Sequence, residues 1–315
     1  TRLRRSRMEV QTGDIATRNH QSESEQPHIH SHPKTQEIHK MSYTFQPGEM
    51  YRMPTHFGPA TGPRRGHNGR KFDGINSPKS VSLRASFLSN AVQLENLLPP
   101  GFELYGDPVV TVSETNMTEI EWLAGRGYSV LGVTIPARFK GEKDTAVGPF
   151  LTVLWENLAD PIITGREELG FSKIYCELPD IRVVGDTAGT QASWLGFTFL
   201  DMEVSNLKPK SNSEPVSPEK VDGQLHYKYM PRTGEWGTAD TQYAVITPAD
   251  GSHAVVHEDL VGDGKLSWNP ARWEDLPTFY QVVNAFADLE VKEFLGGGLT
   301  RSTGGKDLSD QHILY

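Results

Sequence analysis

One cysteine, Cys176, is all that 315 residues contain. A lone thiol excludes an intramolecular disulfide and any metal site built on several cysteines. Positive charge is short as well: 31 Lys and Arg stand against 40 Asp and Glu, a formal net charge of −9. That balance speaks against a broad grip on nucleic-acid phosphates or on an anionic bilayer. No apolar run approaches the roughly 18–20 residues that span a membrane, and no short apolar core follows the N-terminal arginines as a secretory signal requires. Dinucleotide and P-loop glycine patterns are missing, and so is any internal repeat. What is present, 36% hydrophobic and 23% charged residues, suffices for one large or two small packed cores. The expectation is a soluble, cytoplasmic protein with neither a nucleic-acid nor a membrane partner.

Residues 1–40 stand apart. They hold no Phe, Tyr or Trp, five of the 11 histidines, and seven basic against five acidic residues. Such a segment buries too little apolar surface to offset its ordering entropy, which predicts a disordered tail at 1–40 and a folded domain over 41–315, with Met41 as the expected functional start. His28, His30 and His32 alternate in this polar stretch and are read as solvated rather than as a metal site.

Over 43–80 the chain is rich in Gly and Pro and is expected to wrap over a surface. A helix is predicted over 90–98, with Ser89 or Asn90 as N-cap and Pro99-Pro100-Gly101 as its stop. Beyond it, β-branched and aromatic runs punctuated by Gly, Asp, Asn or Pro predict strands at 109–112, 128–139, 150–155, 181–184, 193–204, 225–229, 243–247, 253–256 and 282–294. Many strands without regularly interposed helices argue for a mainly β (α+β) domain with an antiparallel sheet, closed or sandwiched to protect its edges. One further helix is predicted over 160–169, with Asp160 as N-cap, Pro161 at its first position and Gly170 as its stop. Residues 209–222 read as a polar loop.

The strongest chemical signal surrounds that second helix. Gly165-Arg166-Glu167-Glu168-Leu169-Gly170-Phe171-Ser172 leads to Lys173, just where the chain re-enters apolar sequence at Ile174-Tyr175-Cys176. A lysine at a helix end is ordinarily an exposed cation favoured by the helix dipole. A lysine buried in such surroundings instead loses water, its pKa falls, and it becomes the neutral amine that carbonyl attack requires.

These residues resemble the acetoacetate decarboxylase superfamily. The likeness begins with Leu98-Pro99-Pro100-Gly101-Phe102-Glu103 and Gly132-Val133-Thr134-Ile135-Pro136-Ala137-Arg138-Phe139-Lys140-Gly141. It continues through Leu154-Trp155-Glu156-Asn157, Gly165-Arg166-Glu167 to Lys173, Lys228-Tyr229-Met230-Pro231, and Asp288 to Phe294. The resemblance implies an antiparallel β-cone or barrel with peripheral helices, assembly as a homo-oligomer, no cofactor, and a small-molecule keto-acid substrate. It also implies that Lys173 occupies the position of the Schiff-base lysine.

The neighbours of Lys173 depart from the decarboxylase pattern. The second lysine that follows the reactive one in true acetoacetate decarboxylases, a family that serves as the standard example of a lysine activated by a nearby cation, is here Ile174. By spacing from Tyr128 and Pro136, the position of one pocket glutamate is Val130. A second pocket glutamate aligns with Ser113, and a slip of one residue would supply Glu114. The family's N-terminal arginine has no clear counterpart, Lys79 and Arg84 being the nearby candidates. Candidate substrate-binding residues are therefore Arg166, Glu114, Tyr128 and Val130, beside Lys173 as the catalytic group.

Three functions remain open on this sequence: a Schiff-base decarboxylase of a bulky β-keto acid rather than acetoacetate, a Schiff-base aldolase, dehydratase or cyclase, and a non-catalytic ligand-binding protein. Of Trp155, Trp194, Trp236, Trp268 and Trp273, about one is expected at a ligand and the rest in core or interface. Cys176 is expected to be a buried, inert thiol. His253 and His257 are expected to be structural or solvent-facing, and Gly296-Gly297-Gly298 to be a flexible turn or pocket-rim loop.

Overall fold

Period-2 alternation dominates the computed structural model, which describes residues 44–55, 65–67, 69–211 and 221–315. The 1–40 tail and its histidines lie outside the described residues. In chain order the elements are β1 (Lys79–Leu88), α1 (Ala91–Glu95), β2 (Phe102–Leu104), β3 (Val109–Ile120), β4 (Arg126–Lys140), β5 (Thr145–Glu156), α2 (Ala159–Thr164), β6 (Lys173–Tyr175) and β7 (Arg182–Val184). They continue with β8 (Thr187–Trp194), β9 (Phe197–Pro209), β10 (Gly223–Pro231), β11 (Ala239–Pro248), β12 (Val255–Trp268), α3 (Tyr280–Ala287), β13 (Glu293–Thr303) and β14 (His312–Leu314).

All of these strands join one sheet, in the order β14-β11-β10-β5-β4-β3-β1-β13-β12-β9-β8-β7, with β2 added on β4 and β6 on β5. Pairing is antiparallel except at β10 with β5 and β5 with β6, which are parallel. The sheet curls strongly. Trp155 of β5 meets Phe199 of β9 at 5.4 Å and Trp268 of β12 at 5.9 Å between ring centroids, although these strands are several positions apart in the sheet. The long strands present alternate residues to the enclosed core: Leu83, Ala85 and Phe87 from β1, Val110 and Val112 from β3, Leu131, Val133 and Ile135 from β4.

Asn90 caps α1, its Oδ1 accepting from the backbone N–H of Val92 (3.0 Å) and Gln93 (3.4 Å). Several expectations need correction. Residues 282–294 are not a strand: α3 ends at Ala287 and β13 begins at Glu293. Val283 and Phe286, three residues apart on α3, both face the core, and the Phe286 ring stacks on Trp268 at 5.1 Å, so helical spacing prevails over β propensity. The run 193–204 is two strands, divided where Leu195 and Gly196 take positive φ. Unanticipated from the sequence, β1 forms the seam between β3 and β13. Gly296-Gly297-Gly298 belongs to β13 rather than to a loop: a Cβ at Gly297 would press on the Arg84 carbonyl and Val204, and one at Gly298 on the Leu260 carbonyl, so these glycines permit close strand approach.

Candidate active site

Lys173 opens β6, which pairs in parallel with β5 so that Lys173 lies opposite Leu154. The segment before it packs against β5, β6 and β10. α2 begins after Leu158, which offers no side-chain cap, rather than at Asp160. Its continuation Gly165–Leu169 widens into a π turn, closed by Gly170 at φ 80°, whose N–H reaches back to the Gly165 carbonyl. Gly165 is required by what it faces, because a Cβ there would overlap Cδ, Cε and Nζ of Lys173.

The lysine is 6% exposed. Its Nζ lies 2.7 Å from Glu156 Oε1 and donates to the Pro161 carbonyl at 3.1 Å. Glu156, at the end of β5, is fully buried, and among the described residues its carboxylate has no partner beyond this ion pair. Burial pushes the Lys173 ammonium below the ordinary lysine range while the nearby Glu156 charge and hydrogen bond pull it back up. Burial pushes the Glu156 carboxyl above the usual range, and Lys173 pulls it down. The two shifts run toward each other, which lowers the cost of the neutral amine with neutral acid relative to the ion pair. Burial and the Glu156 charge also raise the Tyr128 phenol, which therefore keeps its proton.

A cavity of about 240 Å³ opens in front of Lys173. Tyr128, Met117, Ile120, Trp122, Leu169 and Leu308 line it, with Thr164 and Gly165 at the lysine end. Arg52 Nη1 donates to Thr164 Oγ1, which sets a guanidinium beside the wall. Lys306 also reaches the cavity but is tied to the Asp250 carbonyl (3.0 Å) and Asp310 (2.7 Å).

Of the residues singled out in the sequence, Lys173 and Tyr128 share this cavity and the others do not line it. Arg166 turns away and donates to the Lys173 carbonyl at 2.8 Å. Val130 is on the Tyr128 face and directly opposite Glu156 in the β4–β5 register, next to the cavity wall. Glu114 points the other way. β3 pairs residue for residue with β1, and side-chain alternation carries Glu114 into the core while Ser113 takes the opposite face. Lys79 pairs with Glu119 at 2.7 Å and Arg84 with Asp259 at 3.7 Å, and neither lines the cavity. None of the five tryptophans named above lines it, whereas Trp122 does. Glu156 and Arg52 were not singled out either. Glu156 sits in the Trp155-Glu156-Asn157 motif, but its partner becomes visible only once β5 and β6 are paired.

In the core Glu114 accepts from Thr190 Oγ1 (2.6 Å) and Asn116 Nδ2 (2.9 Å), and burial pushes its pKa up to about 7. An unfolded glutamate titrates near 4.3, so between about 4.3 and 7 the folded chain holds a proton that the unfolded chain has released. Stability is then expected to fall as pH rises through that window, by up to about 4 kcal/mol from this one group. Urea titrations at pH 5 and pH 8 check this. Glu114→Gln should lose most of that slope, and an unchanged slope would contradict the assignment to Glu114.

The acetoacetate decarboxylase family model matches residues 52–304. The chain belongs to the acetoacetate decarboxylase family. That membership supports an enzymatic role. Solved structures share the fold at low identity. An acetoacetate decarboxylase covers 86% of this chain and 98% of its own, with TM-score 0.58 and 14% identity. The acetoacetate decarboxylase of Legionella pneumophila covers 78% and 91%, with TM-score 0.53 and 18% identity. The enduracididine biosynthesis enzyme MppR, solved with pyruvate, covers 79% and 95%, with TM-score 0.56 and 16% identity. No curated protein sequence matches. The fold class is that of the family, strand-rich and mostly antiparallel, and no helix among the described residues is long and apolar enough to cross a membrane.

Proposed function

We propose that this acetoacetate decarboxylase family member is a Schiff-base enzyme that decarboxylates a bulky, largely apolar β-keto acid through Lys173. The observation that carries the reading is the buried Lys173–Glu156 pair, 2.7 Å apart, with Lys173 opening on a cavity walled largely by Met117, Ile120, Trp122, Tyr128, Leu169 and Leu308 and bordered by Glu121, Lys306 and Asp307. With the second lysine replaced by Ile174, neutralisation of the amine falls to desolvation, which the burial of Lys173 supplies.

The chemistry follows from those groups. Neutral Lys173 Nζ adds to the ketone carbon, and the C=O electron pair moves to oxygen. The Glu156 carboxyl, having taken the lysine proton, protonates that oxygen to a hydroxyl; the carboxylate then takes one proton from the new N–H and passes it to the hydroxyl, which leaves as water to give the iminium. The bond to the carboxylate carbon then breaks. Carbon dioxide departs, and the electron pair is stored as an enamine conjugated to Nζ. Protonation at carbon followed by hydrolysis releases the ketone and frees the amine. Arg52, held on Thr164 of the cavity wall, and Lys306 on the wall itself are the cations near enough to orient the substrate carboxylate. Met117, Ile120, Trp122 and Leu308 suit an aryl or alkyl tail and offer little to acetoacetate.

A second reading keeps the enamine and changes its fate: it attacks an aldehyde, and the adduct loses water. Val130 at the position of a decarboxylase glutamate favours it, as does the structure of MppR with the condensation product of pyruvate and imidazole 4-carboxaldehyde. Borohydride reduction during turnover of aryl- and alkyl-substituted β-keto acids, followed by peptide mass spectrometry, tests the shared step. The adduct is expected on the Lys173 peptide, with carbon dioxide release in the first reading and an unsaturated condensation product in the second. Turnover without an adduct at Lys173 would sink both.

A further inference from the structure

Two buried cationic or titratable side chains close to Lys173 have no part in this chemistry. His226 and Lys228 sit two residues apart on one face of β10, the parallel neighbour of β5. Both are buried, at 0% and 9% exposure. His226 Nε2 lies 3.0 Å from the Leu169 carbonyl; a carbonyl only accepts, so Nε2 carries the hydrogen and donates. Lys228 Nζ donates to the Glu167 carbonyl at 2.7 Å. Its aliphatic stem fills the space where a side chain at Gly170 would stand, and the His226 ring stacks on Phe171 at 4.2 Å.

The pattern answers a local shortage. Because the chain leaves the helix at Gly170, the carbonyls of residues 167 and 169 find no helical N–H of their own. β10 provides two donors with the same two-residue spacing. We infer that His226 and Lys228 are positioning residues, a clamp that holds the π turn in the register that keeps Lys173 dry. The inference rests on the proposed role of Lys173 as the reacting amine. In this register Gly165 faces the lysine stem and Leu169 closes the cavity wall. Relaxation of the turn toward ordinary helical geometry, at about 100° per residue, would swing both away.

The charged and titratable groups on the elements around Lys173 are Glu156 on β5, Tyr128 on β4, His226 and Lys228 on β10, Arg166, Glu167 and Glu168 on the turn, Arg52 through Thr164, and Glu121, Lys306 and Asp307 on the shared cavity wall. Burial lowers the His226 pKa to about 4, so the ring is neutral and adds no charge near the amine at neutral pH. The clamp therefore acts through geometry and solvent exclusion. If it opens, water reaches Lys173 and its pKa rises toward the free value of about 10.4.

The pH dependence of reductive methylation of Lys173, followed by peptide mass spectrometry on the whole protein, measures this directly. Lys228→Met keeps the stem on Gly170 and removes the donor. It is expected to raise the methylation midpoint by one pH unit or more and to lower kcat at pH 7 about tenfold, with a smaller change in KM. His226→Leu is expected to do the same, whereas His226→Gln, which retains an N–H donor, should restore the wild-type midpoint. An unchanged midpoint in folded Lys228→Met, or equal shifts in the Gln and Leu variants, would overturn the clamp. Should His226→Leu fail to fold, Lys228→Met decides alone. The midpoint reports the amine itself, so a wild type that forms no keto-acid adduct would sink the Schiff-base reading without touching this measurement.

Discussion

Lys173→Arg is expected to abolish both the borohydride-stable adduct and turnover, a loss on the order of 10⁴-fold or more. Arginine keeps a positive charge beside Glu156, so the buried pair is not left as an uncompensated carboxylate and the fold should persist. What is lost is the neutral amine, because a guanidinium does not deprotonate near pH 7. Thermal unfolding checks the fold, and rates with a β-keto acid turned over by the wild type check the chemistry. Rates within tenfold of wild type would refute imine catalysis at Lys173.

Glu156→Gln carries the second largest effect. The amide still fills the space behind Lys173, but it neither takes the lysine proton nor returns it to the departing hydroxyl. Loss of general acid–base assistance is worth about 10²- to 10⁴-fold in kcat. The pH profile should move in a definite direction. Glu156 pulls the Lys173 pKa upward against burial, so removing its charge lets that pKa fall further. The acid limb of the rate profile is therefore expected to shift to lower pH while the plateau drops. A profile unchanged in position, with full activity, would assign Glu156 a packing role only.

Much of the scaffold was legible in the residues. Alternation marked most strands from β3 to β11, Asn90 announced α1, and the Pro161 to Gly170 segment announced the helical turn that delivers Lys173. Where local pattern failed, tertiary packing outweighed local preference. Residues 282–287 have β-branched and aromatic side chains, yet Val283 and Phe286 reach the core only with helical spacing. The glycines of β13 look like a turn and are a strand, because what demands them is the backbone of β1 and β12 pressing on either side.

The sequence by itself determined a β-rich chain without disulfides, a family resemblance, and a lysine poised where helix gives way to apolar strand. Only the tertiary structure decided how that lysine is surrounded. Strand parity turned Glu114 into the core and left Val130 beside the site, since side chains alternate faces and register admits no half-steps. The parallel pairing of β5 with β6 brought Glu156 to Lys173 across 17 residues, and the return of β10 alongside β5 brought His226 and Lys228 to the π turn across about 60. Such partners leave no periodic signature in a sequence. Their contact is set by which strands lie side by side, and that order is settled by burial of the whole sheet rather than by any local preference.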